Sequence, residues 1–117
     1  MTSPGESWLS AYLTAWESNE PADIAAVFAE DAVYFGNPDD DRPWRGLEAI
    51  TAGWIADKDE PGSWTFDGHV IVESDSTVVV QGRTDYPGGT NYTNLWVVEM
   101  AADGRATSFT EWYMTRP

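Results

Sequence analysis

The stretch NLWVVEMAADGRATSFTEWYM, residues 94–114, decides how this chain folds. Two runs rich in β-branched and aromatic residues flank Ala-Asp-Gly, a short connection of the hairpin kind. Alternate side chains of a strand point to opposite faces. The second run therefore sets Phe109, Glu111 and Tyr113 on one face, and Thr110, Trp112 and Met114 on the other. In the first run Asn94 and Trp96 share a face. Large apolar groups on both sides of residues 108–115 leave neither side as an ordinary wet surface. A carboxylate, Glu111, stands where water is scarce.

Two further segments of the same character precede this pair: WTFDGHVIVES at 64–74 and TVVVQGRTDY at 77–86. The short polar or glycine-rich breaks SDS, PGG and ADG separate the four, which predicts an antiparallel meander of four strands. The N-terminal half has helical spacing instead. Ser3, Pro4 and Glu6 form a helix-start signature with a capping box. Trp8, Leu9, Tyr12, Leu13 and Trp16 then draw one apolar stripe to a helix end near Ser18. Pro21 and Asp23 launch a short second helix with Ile24, Val27 and Phe28 inward. A brief strand, Ala32 to Phe35, stops at Gly36 and the loop NPDDDRPWRG, and Leu47, Ile50 and Trp54 mark a third helix over 47–58. The order predicts one α+β domain over residues 1–117, its helices packed on one face of a strongly curved sheet.

Composition narrows the partners. Twenty acidic residues against six basic ones give a net charge of −14, a body that repels phosphate backbones and so excludes nucleic acid as a partner. The acidity reads as solubility or adaptation to salt, with attraction of a cationic partner as the alternative. Seven tryptophans supply a core that a disordered chain lacks. There is no apolar run of 18 residues to span a membrane, and MTSPGESW lacks the basic start and apolar centre of a secretory signal. Without cysteine there is no disulfide, thiol nucleophile or zinc–thiolate site. A cytoplasmic location is expected.

YLTAWESNEPADIAAVFAEDAVYFG, PWRGLEAI and NLWVVEMAADGRATSFTEWYM together resemble the SnoaL-like group of the nuclear transport factor 2 (NTF2-like) superfamily, from about residue 6 to residue 115. The resemblance implies a cone-shaped sheet, antiparallel or mixed, wrapped around the N-terminal helices. It also implies a central, open-ended apolar pocket and frequent homodimers. The superfamily includes ketosteroid isomerases, polyketide cyclases, dehydratases, epoxide hydrolases and members without catalysis, so function must be argued from the site. Tyr12, 19 residues before Asp31, fits the tyrosine that donates to the oxyanion in the isomerases. Their general-base aspartate falls near Gly36 and their second oxyanion donor near Trp96, so classical ketosteroid isomerisation through those groups is rejected. The same matching puts Phe109, Glu111 and Tyr113 on the pocket face.

Glu111 has a catalytic and two structural readings. As a carboxylate in an aromatic cavity it would be desolvated, raised in pKa and suited to general acid or base work. Alternatively it accepts hydrogen bonds from Tyr12 or an indole N–H, or pairs with an arginine at a subunit interface. Arg83 orients a substrate oxygen together with Asp85 or Glu111, or belongs to an outer face with cross-strand ion pairs. Tyr12 and Trp16 are core residues or, for the phenol, an oxyanion donor. Trp16, Tyr34, Trp44, Trp54, Asn94 and Trp96, with Phe109 and Tyr113, are the expected ligand-binding lining. They fit a flat, mostly apolar ligand with a few polar anchors. His69 is a lone surface or interface histidine, and Asp39, Asp40 and Asp41 lack the spacing of a calcium loop. The Asn91–Tyr92–Thr93 sequon reads as incidental. No metal or organic cofactor is expected, because no fingerprint for one occurs.

Three functional readings follow. One is an enzyme acting on an apolar, oxygen-bearing metabolite by isomerisation, cyclisation, dehydration or hydrolysis. There Glu111 moves the proton, Tyr12 stabilises the oxyanion, and Arg83 or Asn94 orients the substrate. The second is a non-catalytic module that binds a small ligand. The third is a dimerisation domain whose vestigial pocket is filled by its own tryptophans. A second subunit covering Thr110, Trp112 and Met114 is expected in any case.

Overall fold

The first helix, α1 (Pro4–Ser18), starts where its capping residues dictate. The computed structural model describes residues 2–117. The Glu6 amide donates to Ser3 Oγ at 3.1 Å, and the Ser3 amide donates to the Glu6 carboxylate at 3.0 Å. A second carboxylate, Glu73, reaches the same helix end from the sheet. It accepts from Ser3 Oγ at 2.8 Å and from the Gly5 amide at 3.1 Å, where the helix dipole favours negative charge. A Cβ on Gly5 would lie 2.6 Å from Glu73 Oε1, so a larger residue there would push the carboxylate aside. The helix ends at Asn19, whose φ of 54° is left-handed.

After α2 (Pro21–Val27) the chain enters β1 (Phe28–Phe35), four residues earlier than the expected start at Ala32. Phe28 is buried as the apolar pattern requires, but it sits on the strand and not on the helix. β2 (Trp44–Arg45) was not foreseen, since two residues carry no periodicity. α3 (Leu47–Ala56) stops two residues before the expected end. The meander follows as β3 (Thr65–Ser74), β4 (Thr77–Asp85), β5 (Asn91–Met100) and β6 (Ala106–Arg116).

The six strands form one curved, unclosed sheet in the order β2-β1-β6-β5-β4-β3. All neighbours are antiparallel except β1 and β6, which run parallel, so the sheet is mixed. Register shifts between Phe28 and Val33, Val70 and Val72, and Glu99 and Met100 bend it. The helices lie in the resulting hollow. Trp8, Ile24, Phe28, Ile50, Val80, Val98 and Phe109 are buried between the layers. Trp8 Nε1 satisfies itself by donating to the Val27 carbonyl at 3.1 Å, tying α1 to α2. Phe66 fills the space left by the cross-strand pair Gly68 and Gly82, and its ring stacks on Trp96 at 4.8 Å.

Glu73→Ala removes both acceptors from the first turn of α1. We expect a loss of about 1–2 kcal/mol in unfolding free energy, read from urea denaturation. An unchanged midpoint would show that solvent caps the helix equally well.

Candidate functional site

A cavity of about 330 Å³ lies between α1, the segment following α3 and the inward face of β4–β6. The chain's alternation builds it. On β5 the inward parity of Tyr92, Asn94 and Trp96 presents three consecutive same-face residues, and β6 adds Glu111 and Tyr113. Tyr12 and Trp16 come from α1, Tyr34 from β1, Trp44 from β2 and Trp54 from α3. Trp44 reaches its place because Gly53 has no side chain; a Cβ there would meet the indole at 2.2 Å.

Glu111 stands directly across from Trp96 in the β5–β6 register, with Asn94 two residues away on the same face. Its Oε2 accepts from Asn94 Nδ2 at 2.6 Å and from Trp96 Nε1 at 3.1 Å. Asn94 is oriented in turn by Thr84 on β4, whose hydroxyl donates to Asn94 Oδ1 at 2.7 Å. Thr84 and Asn94 are both buried. Three strands thus align one carboxylate oxygen and leave Oε1 without a hydrogen bond among the described residues. Burial pushes the carboxyl above its ordinary pKa, against the downward pull of the Trp96 and Asn94 hydrogen bonds.

Tyr12 and Tyr34 are held as neutral phenols. Burial, then neighbouring Tyr34, then the charge on Glu111 push Tyr12 well above its ordinary value. Burial followed by the Glu111 charge does the same to Tyr34. Both therefore keep a proton to donate at any working pH.

The opposite wall is organised by Asp59, in the segment between α3 and β3. Its Oδ2 accepts from Trp16 Nε1 at 3.0 Å and from the Tyr86 hydroxyl at 2.8 Å. Its main-chain carbonyl accepts from Asn19 Nδ2 at 3.0 Å, and Asn19 Oδ1 accepts from Trp54 Nε1 at 2.9 Å. The residue that terminates α1 therefore also anchors the cavity rim. Asp57 and Lys58 complete that wall.

Of the residues singled out from sequence, Glu111, Tyr12, Trp16, Tyr34, Trp44, Trp54, Asn94, Trp96 and Tyr113 line this one space. Two do not. Phe109 has the inward parity but lies a layer deeper, fully buried, with its ring stacked on Tyr34 at 4.6 Å and parallel to Tyr12 at 5.6 Å. Arg83 is exposed on the outer face, because Gly82 and Thr84 take the inward positions of β4. Asp85, its supposed partner, pairs with Arg116 instead. Asn19, Asp57, Lys58, Asp59, Thr84, Tyr86 and Tyr92 were not anticipated as lining. Strand parity carries the signal that could have found two of them, Thr84 beside Gly82 and Tyr92 beside Asn94. Nothing periodic marks Asp59, which sits in irregular chain.

A bent, unclosed sheet curled over helices is the fold of the nuclear transport factor 2-like class. Within that class the chain belongs to the SnoaL-like domain family, which matches residues 9–114. Among solved structures it is similar to an NTF-2 like protein of unknown function from Burkholderia xenovorans LB400. The TM-score is 0.77 at 12% identity, covering 97% of this chain and 85% of the other. It is also similar to an LEH-like epoxide hydrolase of M. tuberculosis, with TM-score 0.68, 15% identity and coverage of 97% and 84%. A Δ5-3-ketosteroid isomerase from Mycobacterium sp. aligns with TM-score 0.66 and 17% identity over 98% and 100% of the two chains. No curated protein matches. Identities this low speak for the fold alone.

The folded protein holds the Glu111 proton to higher pH than the unfolded chain does. That contribution to stability is complete below the ordinary glutamate range and is lost as pH rises through the raised value. Glu111→Gln has no proton to release. Urea unfolding across the acidic range should show the wild type losing stability relative to this variant as pH rises. Parallel profiles would mean the carboxyl is fully hydrated.

Proposed function

We propose that this chain is an enzyme that performs general acid–base chemistry with its own side chains on a small, largely apolar substrate bearing an oxygen function. One observation carries the reading: Glu111 is desolvated and fixed through Oε2 by Asn94 and Trp96, while Oε1 is left open. A carboxyl in that state takes or returns a proton without first reorganising its neighbours. Tyr12 and Tyr34 are neutral donors within electrostatic reach of Glu111, suited to the oxygen on which negative charge develops. Isomerisation, cyclisation, dehydration and hydrolysis all use such a transfer. Arg83, exposed on the far face, has no part in this scheme.

The alternative is a binding module, favoured by the fact that Glu111 already serves two wall residues as an acceptor. The two readings part on Glu111→Gln. For an enzyme, turnover of a converted substrate falls about 10²–10⁴-fold while its dissociation constant changes little. Tyr12→Phe lowers turnover by roughly 10-fold or more through the lost oxyanion donor. Ligands that bind both chains equally and are converted by neither would leave only the module.

Assembly is part of the proposal. Trp112 and Met114 on the outer face are 41% and 70% exposed, and Trp112 lies opposite half-buried Leu95. A second copy of the chain would cover this strip in a homodimer. Sedimentation at micromolar concentration should show a dimer that Trp112→Lys converts to monomer; a monomeric wild type would overturn it. No helix among the described residues is long and apolar enough to cross a membrane. We place the protein in the cytoplasm on the absence of cysteine.

A further inference from the structure

The cavity sorts the aromatic residues of this chain by their chemistry. All five tyrosines line it with four of the seven tryptophans, yet none of the four phenylalanines does. Among the described residues no aliphatic side chain forms its wall either, although the adjoining core is rich in isoleucine and valine. A pocket shaped only to exclude water from a neutral ligand would draw on those residues too. The appetite of a hydroxyl for water accounts for a tyrosine at the mouth, such as Tyr113. It does not account for Tyr12, which is 6% exposed.

The N–H edges of the indoles are already committed within the wall. Trp16, Trp54 and Trp96 spend their N–H groups on Asp59, Asn19 and Glu111. Trp64 stacks behind Trp16 at 3.8 Å and Phe66 behind Trp96 at 4.8 Å. Trp16 thus has one covered face and a locked edge, whereas Trp96, 2% exposed with Phe66 stacked on it and Tyr12 at 4.6 Å, forms the floor behind the site. The face of an aromatic ring is the negative side of its quadrupole, and it attracts a cation within about 6 Å.

Charge on the wall has the same sign. Glu111, Asp57 and Asp59 stand against Lys58 alone. Asp59, like Glu111, has one oxygen taken by an indole and a second donor, and the other oxygen free among the described residues. Tyr86 connects the two walls: it donates to Asp59 and lies within electrostatic reach of Glu111. Around the site the body of the protein carries −14, a field that raises the local concentration of cations.

We infer that the cavity takes a compact organic ammonium, its alkylated nitrogen seated against the Trp16 and Tyr86 rings between the carboxylates of Asp59 and Glu111. The inference rests on the proposed function in using the same cavity, and it narrows the substrate to an amine-bearing one. The oxygen function then lies toward Tyr12 and Tyr34.

The test compares choline with 3,3-dimethylbutan-1-ol, which has the same shape and hydroxyl but a carbon in place of the charged nitrogen. Binding is followed by tryptophan fluorescence and calorimetry at physiological ionic strength. Choline should bind about 10-fold or more tightly than the neutral alcohol. Asp59→Asn should abolish most of that preference while its thermal unfolding stays close to wild type. The double variant Asp39→Asn with Asp41→Asn, which removes two carboxylates outside the lining, should retain the preference. Equal binding of the two probes, binding of neither, or a preference that follows Asp39 and Asp41 would overturn the inference. A cavity that favours the neutral alcohol overturns the ammonium while leaving Glu111 as an acid–base group. A choline preference in a protein whose Glu111→Gln variant loses no turnover sinks the enzymatic reading and leaves the ammonium standing.

Discussion

The parallel pairing of β1 with β6 joins two halves of the chain that share no other strand pairing. Everything at the site depends on it. The pairing sets Tyr34 beside Phe109, so that the N-terminal phenol stacks on the C-terminal ring at 4.6 Å. It also brings α2 and α3, which flank β1 in the chain, up against the core of the meander. Without that edge the meander would be a bent ribbon with an uncovered inner face, and Glu111 would meet water.

Enclosure makes the carboxylate useful and also costly. Taking a charged carboxylate out of water costs several kcal/mol unless donors replace the lost hydration. Trp96 and Asn94 supply two donors, and both go to the same oxygen. The balance leaves Glu111 raised in pKa and one oxygen short of partners. Asp59 is pinned on the facing wall in the same way, by an indole and a phenol. A wall built by rigid rings and strand register holds these groups in place before any ligand arrives, which is the condition for electrostatic stabilisation without reorganisation.

The long strands and the helices were legible because each carries a repeated local pattern. Apolar spacing drew α1 with its capping box, and alternation drew the strands β3 to β6. Arg83 shows the limit of parity: alternation separated it from Thr84, but it did not say which of the two faces the helices cover. Phe109 shows another, since parity gives a side and not a depth. β2 is too short for any period to show. Asp59 and Asn19 lie where the chain is irregular, and their roles come from contacts across 40 residues.

By itself, then, the order of residues determined the element types, the α+β class, and the clustering of rings and one acid on the last strand. Those features arise from interactions among residues two to four apart. Only tertiary structure decided that β1 returns parallel to β6, that Asp59 faces the cavity, and that Glu111 is held by two neighbours on β5. Each of these joins groups far apart in the chain, and no local period encodes where such groups meet.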